Sequence, residues 1–155
     1  MRLTLASVVF DGPPTRVSQA VTADGSALSV IFDQLVARSG TSDTDPMPQT
    51  VRLDGEVLCA GHGWVTVQAR GAGLSSDAHG YAHATVWANG RRLRSEPAAA
   101  NEPFVSAVVA PVEGRGIRLS VLLLAQRDLG IAGSAAECWL DTLDIQVIDH
   151  PRRAS

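Results

Sequence analysis

Tyr81-Ala82-His83-Ala84-Thr85-Val86-Trp87-Ala88-Asn89-Gly90-Arg91-Arg92-Leu93-Arg94 is the stretch from which the fold is read. From Tyr81 to Ala88 small apolar residues alternate with larger or polar ones, the period-2 pattern of a strand with two unlike faces. Asn89-Gly90 follows, and both residues tolerate the positive φ that a two-residue hairpin turn demands. The basic run beyond it then returns antiparallel, so the segment predicts a β-hairpin.

The same alternation recurs on both sides, punctuated by Gly, Pro, Asn and Asp, while helix-period signals are almost absent. Strands are expected near residues 2–10, 16–22, 27–37, 48–59, 63–70, 79–88, 103–112, 116–126 and 138–148. Glu113-Gly114-Arg115-Gly116 separates two apolar runs and predicts another antiparallel return. Repeated returns of this kind imply an all-β fold, an antiparallel two-sheet sandwich or jelly roll. Segments 39–47 and 95–103 read as surface loops. No internal repeat or charge block divides the chain, so residues 1–149 are expected to form one domain and 150–155 a frayed tail.

With 155 residues, 45% apolar and 19% charged, the composition suits one soluble globular domain. A net charge of −3 with no basic stripe argues against nucleic acid as a partner. The longest apolar run, Val121 to Ala125, is far short of the roughly 20 residues of a membrane helix, so no integral membrane contact is expected. All 13 basic residues are Arg, which removes Schiff-base and P-loop lysine chemistry. Residues 1–10 read as a strand and not a signal peptide. The expected location is cytoplasmic, or secreted or at the cell surface if Met1 replaces a removed signal.

The row His79, Tyr81, His83, Thr85 and Trp87 shares one strand face and is the most site-like feature of the chain. An aromatic face with polar neighbours could stack on a sugar ring. The competing reading packs the row under a loop or a neighbouring subunit. It is preferred because Ala82, Ala84, Val86 and Ala88 bury too little area to anchor a strand, which makes Tyr81 and Trp87 core or interface residues. Trp64 also points away from the apolar face of its strand and joins the candidate ligand-binding set with Tyr81, His83 and Trp87.

Metal and catalytic signatures are weak. His79 and His83 would stand about 13 Å apart along a strand, too far to share a zinc ion. Asp43 and Asp45 begin a calcium-loop pattern that Pro46 interrupts. No nucleophile motif occurs, and Asp141 and Asp144 do not by their spacing make a glycosidase pair. The expectation is a protein that is not an enzyme, with no cofactor and no metal. Cys59, on the inward face of Val51 to Cys59, and Cys138 are the only thiols, and one disulfide or two free thiols are equally open. The apolar character of both faces between Ile117 and Ala125 predicts a central buried strand or a subunit contact, and hence self-association.

Thr22-Ala23-Asp24-Gly25-Ser26-Ala27-Leu28-Ser29-Val30-Ile31-Phe32-Asp33 resembles a segment of a secreted β-rich family known as domain of unknown function 4360. Val8 to Val17 is similar to that family's opening, Ala60-Gly61-His62-Gly63-Trp64 to a conserved turn, Ala69-Arg70-Gly71 to a later motif, and Glu137 to Ile145 to its Cys-containing final strand. The family's opening Cys has no counterpart, and Cys59 is displaced from its second. The resemblance implies an exported β-sandwich without catalytic residues, in which Trp64 covers one end of the sandwich. Together these readings predict a structural or interaction module of an exported or self-assembling particle, with a carbohydrate-binding module as the alternative.

Overall fold

The computed structural model describes residues 2–11, 17–39, 49–75, 81–89, 91–92, 97–98, 102–113, 116–126 and 134–148. The described strands are β1 (Thr4–Asp11), β2 (Val17–Val21), β3 (Ala27–Ser39), β4 (Gln49–Ala60), β5 (His62–Ser75), β6 (Tyr81–Ala88), β7 (Arg91–Arg92), β8 (Pro97–Ala98), β9 (Glu102–Glu113), β10 (Ile117–Gln126) and β11 (Ala136–Ile148). They form two antiparallel sheets. Sheet A has the order β2-β3-β11-β5-β9; sheet B has the order β1-β4-β10-β6-β7, with β8 also paired to β6. The protein is an all-β antiparallel sandwich. Among the described residues no helix is long and apolar enough to cross a membrane.

The expected hairpin is present: Asn89 takes a φ of 50°, and Trp87 and Ala88 pair with Arg92 and Arg91. The expected return at Glu113 to Gly116 takes a different path. β9 pairs with β5 at the edge of sheet A, whereas β10 lies between β4 and β6 in sheet B, so the chain crosses from one sheet to the other. The residues of β10 explain this. Ile117, Leu119, Val121, Leu123 and Ala125 are buried, while Leu122 and Leu124 on the opposite face are half-buried, a distribution that suits a central strand. Gly116 permits the crossing: its φ is +109°, and an added Cβ would stand 2.2 Å from the Val57 carbonyl oxygen. The expected loop 95–103 contains β8 and the start of β9. The tail 150–155 and most of the loop 39–47 lie outside the described residues.

The core is aliphatic. Leu5, Leu28, Ile117, Leu123, Leu140, Leu143 and Ile145 are among its largest fully buried side chains, and Phe10 meets Phe32 edge-on with ring centroids 5.7 Å apart. Ala82, Ala84, Val86 and Ala88 are all inside, at 2% exposure or less. These small residues do anchor β6, because large aliphatic side chains contributed by the other strands fill the space between the sheets. Trp87 consequently faces outward and is half-buried, so it is not the core residue that the small companion face suggested.

Candidate functional site

The outer face of sheet B is built by register. Ser120, on the central strand, is opposite Asp54 of β4 on one side and Trp87 of β6 on the other. Asp54 is in turn opposite Asp11 of β1. A row Asp11, Asp54, Ser120, Trp87 therefore crosses four strands on one face, each step about 4.8 Å. Two residues toward one end stand Glu56 and Arg118; two toward the other stand Arg52, Leu122 and Thr85. Arg52, Trp87, Arg118 and Ser120 line a hollow of about 330 Å³. It adjoins a depression of about 520 Å³ that shares Arg52, Arg118 and Ser120 and extends to Asp11, Asp54 and Glu56.

The Ser120 hydroxyl donates a hydrogen bond to Asp54, and Arg52 Nε donates to Asp54 Oδ1 and Oδ2 at 3.1 and 3.2 Å. The Ser120 hydroxyl and then Arg52 hold the Asp54 carboxyl below its ordinary range. Asp54 is therefore a fixed negative charge. Arg118 is exposed, and among the described residues no ion pair or side-chain hydrogen bond engages its guanidinium. Its backbone N–H, by contrast, donates to Asn89 Oδ1 at 2.9 Å, which fixes the hairpin turn beside the hollow.

The rest of the β6 row is less open. Thr85 is 8% exposed although it faces outward. His83 is half-buried, and burial lowers its imidazole below the ordinary range, so it is neutral near pH 7. The side chain of Tyr81, and His79, Asp77, Asp43 and Asp45 altogether, lie outside the described residues. Trp64 does not join the row. It stands on the outer face of sheet A, half-buried, in register with Ile148 and Pro111.

The two thiols do not form a bridge: both are free. Cys138 Sγ donates to the His83 carbonyl oxygen at 3.3 Å, and His83 is level with Leu124 and so with Thr50 of β4. Cys59 stands nine residues further along β4, which is about 30 Å at a strand's rise, against the 4.4–6.8 Å that a disulfide allows between Cα atoms. Both β4 and β11 read as Cys-bearing strands from sequence, but the level of each thiol along its sheet depends on pairing. Desolvation pushes the Cys138 thiol up to about 11, and desolvation together with Glu56 raises that of Cys59. Neither is a thiolate nucleophile at neutral pH.

Period-2 alternation along β4 places Arg52, Asp54 and Glu56 on one face, and the structure adds what no local pattern contains, namely that β10 carries Arg118 and Ser120 between that face and Trp87. A third hollow, of about 430 Å³, includes Trp139, Phe32, Val36 and Asp141 beside a register shift between Leu140 and Thr142 on sheet A. There Arg38 Nε is paired with Glu137 Oε1 at 3.1 Å.

No family model matches the chain, and no curated protein matches it. Among solved structures it is similar to TmCBM61 in complex with β-1,4-galactotriose, with 15% identity, a TM-score of 0.42, and coverage of 92% of this chain and 90% of that one. It is also similar to the carbohydrate-binding module CBM36 in complex with calcium and xylotriose, with 14% identity, a TM-score of 0.38, and coverage of 94% and 100%. A family 35 carbohydrate-binding module from an environmental isolate matches at 18% identity, with a TM-score of 0.34 and coverage of 97% and 94%. These likenesses are distant, and the character of the site rests on its own side chains.

Proposed function

We propose that the protein is a non-catalytic β-sandwich module that binds a glycan on the outer face of sheet B, with Trp87 as the stacking surface. The observation that carries this reading is the half-buried, outward-facing indole in register with Ser120 and Asp54 and sharing a hollow with Arg52 and Arg118. A sugar ring has an apolar C–H face and a rim of hydroxyls, so it needs flat aromatic area bordered by fixed hydrogen-bonding groups. Asp54, ionised and held by Ser120 and Arg52, is an acceptor for such hydroxyls. Its lowered pKa leaves it unsuited to the general-acid role of a glycosidase, which needs a carboxyl shifted upward. A module of this kind acts where glycans are displayed, at the cell surface or outside the cell.

The test is a glycan array followed by titration calorimetry with the retained oligosaccharides, on the wild type and on Trp87→Ala. Binding that disappears in a folded Trp87→Ala protein is the expected result. A wild type that retains no glycan, or a variant that binds undiminished, overturns the reading. Light scattering at high micromolar concentration tests self-association on the same face: a dimer that Trp87→Ala disperses would also overturn it.

A further inference from the structure

We propose, building on the glycan reading, that the ligand is an anionic glycan, a sugar bearing a carboxylate or a sulfate ester, and that Arg118 takes the charged group. Arg118 and Arg52 flank the Asp54–Ser120–Trp87 row, one on each side along the strands, with Cα positions about 13 Å apart along the strand direction. The two guanidinium groups differ in what they have left to offer. Arg52 spends its Nε on both oxygens of Asp54, although its side chain remains 65% exposed. Arg118 is in register with Glu56 on the same face, yet no ion pair joins them, and it lines the hollow beside Trp87.

A guanidinium presents a planar fork of donors that matches the two oxygens of a carboxylate or sulfate. The charge on the face is also graded. Asp11, Asp54 and Glu56 gather on the β1 and β4 side, whereas among the described residues the hollow at Trp87 is lined by Arg52, Arg118 and Ser120 and no carboxylate. A ligand with one anionic group and a neutral hydroxylated remainder fits this gradient. Its charged group lies at Arg118 beside the indole, and its hydroxyls donate to the carboxylates across β10. A polyanion with a charge at every step would meet those carboxylates and be repelled.

The experiment uses the full chain on an array of neutral, uronate-containing and sulfate-ester glycans. Calorimetry then compares the best acidic ligand with its carboxyl-reduced or desulfated counterpart, on the wild type, Arg118→Gln and Arg70→Gln, the last on the other sheet. We expect the acidic ligand to bind at least tenfold more tightly than its neutral counterpart and that advantage to shrink as salt is added. Arg118→Gln should remove the advantage and Arg70→Gln should keep it, while the uronate and sulfate arms identify the anion. Neutral glycans that bind as tightly as acidic ones, still dependent on Trp87, overturn the anionic ligand and leave the glycan site standing. An array that retains nothing overturns both. An Arg118→Gln protein that keeps the full advantage overturns the role of Arg118.

Discussion

The outer faces of the two sheets are both polar, yet they are organised in opposite ways. On sheet A the groups satisfy one another: Ser29 Oγ donates to Asp144 Oδ1 at 2.8 Å, Arg70 Nε lies 3.9 Å from Asp144 Oδ2, and Arg70 donates to Gln68 Oε1 at 3.4 Å. The hollow over this network is only about 140 Å³. On sheet B the pairing among the described residues stops at Ser120, Asp54 and Arg52, and it leaves the Arg118 guanidinium unengaged next to an outward indole. A polar sheet face becomes a binding surface where its own residues leave hydrogen-bonding capacity and apolar area unspent; charge content alone does not distinguish the two.

The contrast breaks most visibly at tryptophan. Trp87→Ala should lower glycan affinity at least 100-fold, and Trp64→Ala on sheet A should change it less than twofold, as read by calorimetry. Because the indole is only half-buried, denaturant melts of Trp87→Ala should show a loss of about 1–2 kcal/mol, below the 3–5 kcal/mol typical of a buried aromatic. A loss in the full range would make the face structural. Asp144→Ala is the mirror experiment. Removing the centre of the sheet A network should cost about 1 kcal/mol of stability in the same melts and leave affinity unchanged.

Acid sharpens the comparison further. Asp24 is lowered from 3.8 to about 2 by hydrogen bonds from the Ser26 hydroxyl, the Ser26 backbone N–H and the Thr22 hydroxyl. Asp54 on sheet B is lowered as well. A depressed folded pKa means that the stabilisation is complete above the unfolded pKa and fades as pH falls through the folded one. Melts should therefore lose midpoint between pH 4 and pH 2, and Asp24→Asn should flatten part of that slope. Asp54→Asn should flatten another part and weaken glycan binding at neutral pH, whereas Asp24→Asn should leave binding alone.

The smallest effect is expected at Thr142, whose Oγ1 is buried at the register shift of β11 without a partner among the described residues. Thr142→Val should fall within about 0.5 kcal/mol of wild type, or be slightly stabilising, because the change removes an unmet donor at similar shape. A larger loss would mean that the hydroxyl has a partner in solution.

Strand positions were legible because period-2 alternation is a local property of the chain. All the expected strands are present among the described residues, within a few residues at each end. The outward direction of Trp64 was equally legible from alternation, as was the placing of Trp87 on the face opposite Ala82, Ala84, Val86 and Ala88. The weight of Ala82, Ala84, Val86 and Ala88 was not. A face of small residues looks too poor to anchor a strand until the volume supplied by the opposite sheet is known, and on that point the expectation of Trp87 as a core residue failed. The alternative of a disulfide failed for a related reason: the sequence contains two thiols but not their levels along the sheets.

By itself, then, the sequence determined the strand class, the Asn89-Gly90 hairpin, the two-sided apolar nature of β10 and the side of each strand on which a residue stands. These depend on neighbours within a few positions, where the steric period of the backbone is enough. Only the tertiary structure decided that β9 and β10 belong to different sheets, that Cys59 and Cys138 stand far apart, and that Ser120 joins Asp54 to Trp87 with Arg52 and Arg118 on either side. Those facts follow from strand order and register, which are set by how the whole set of apolar faces is buried at once.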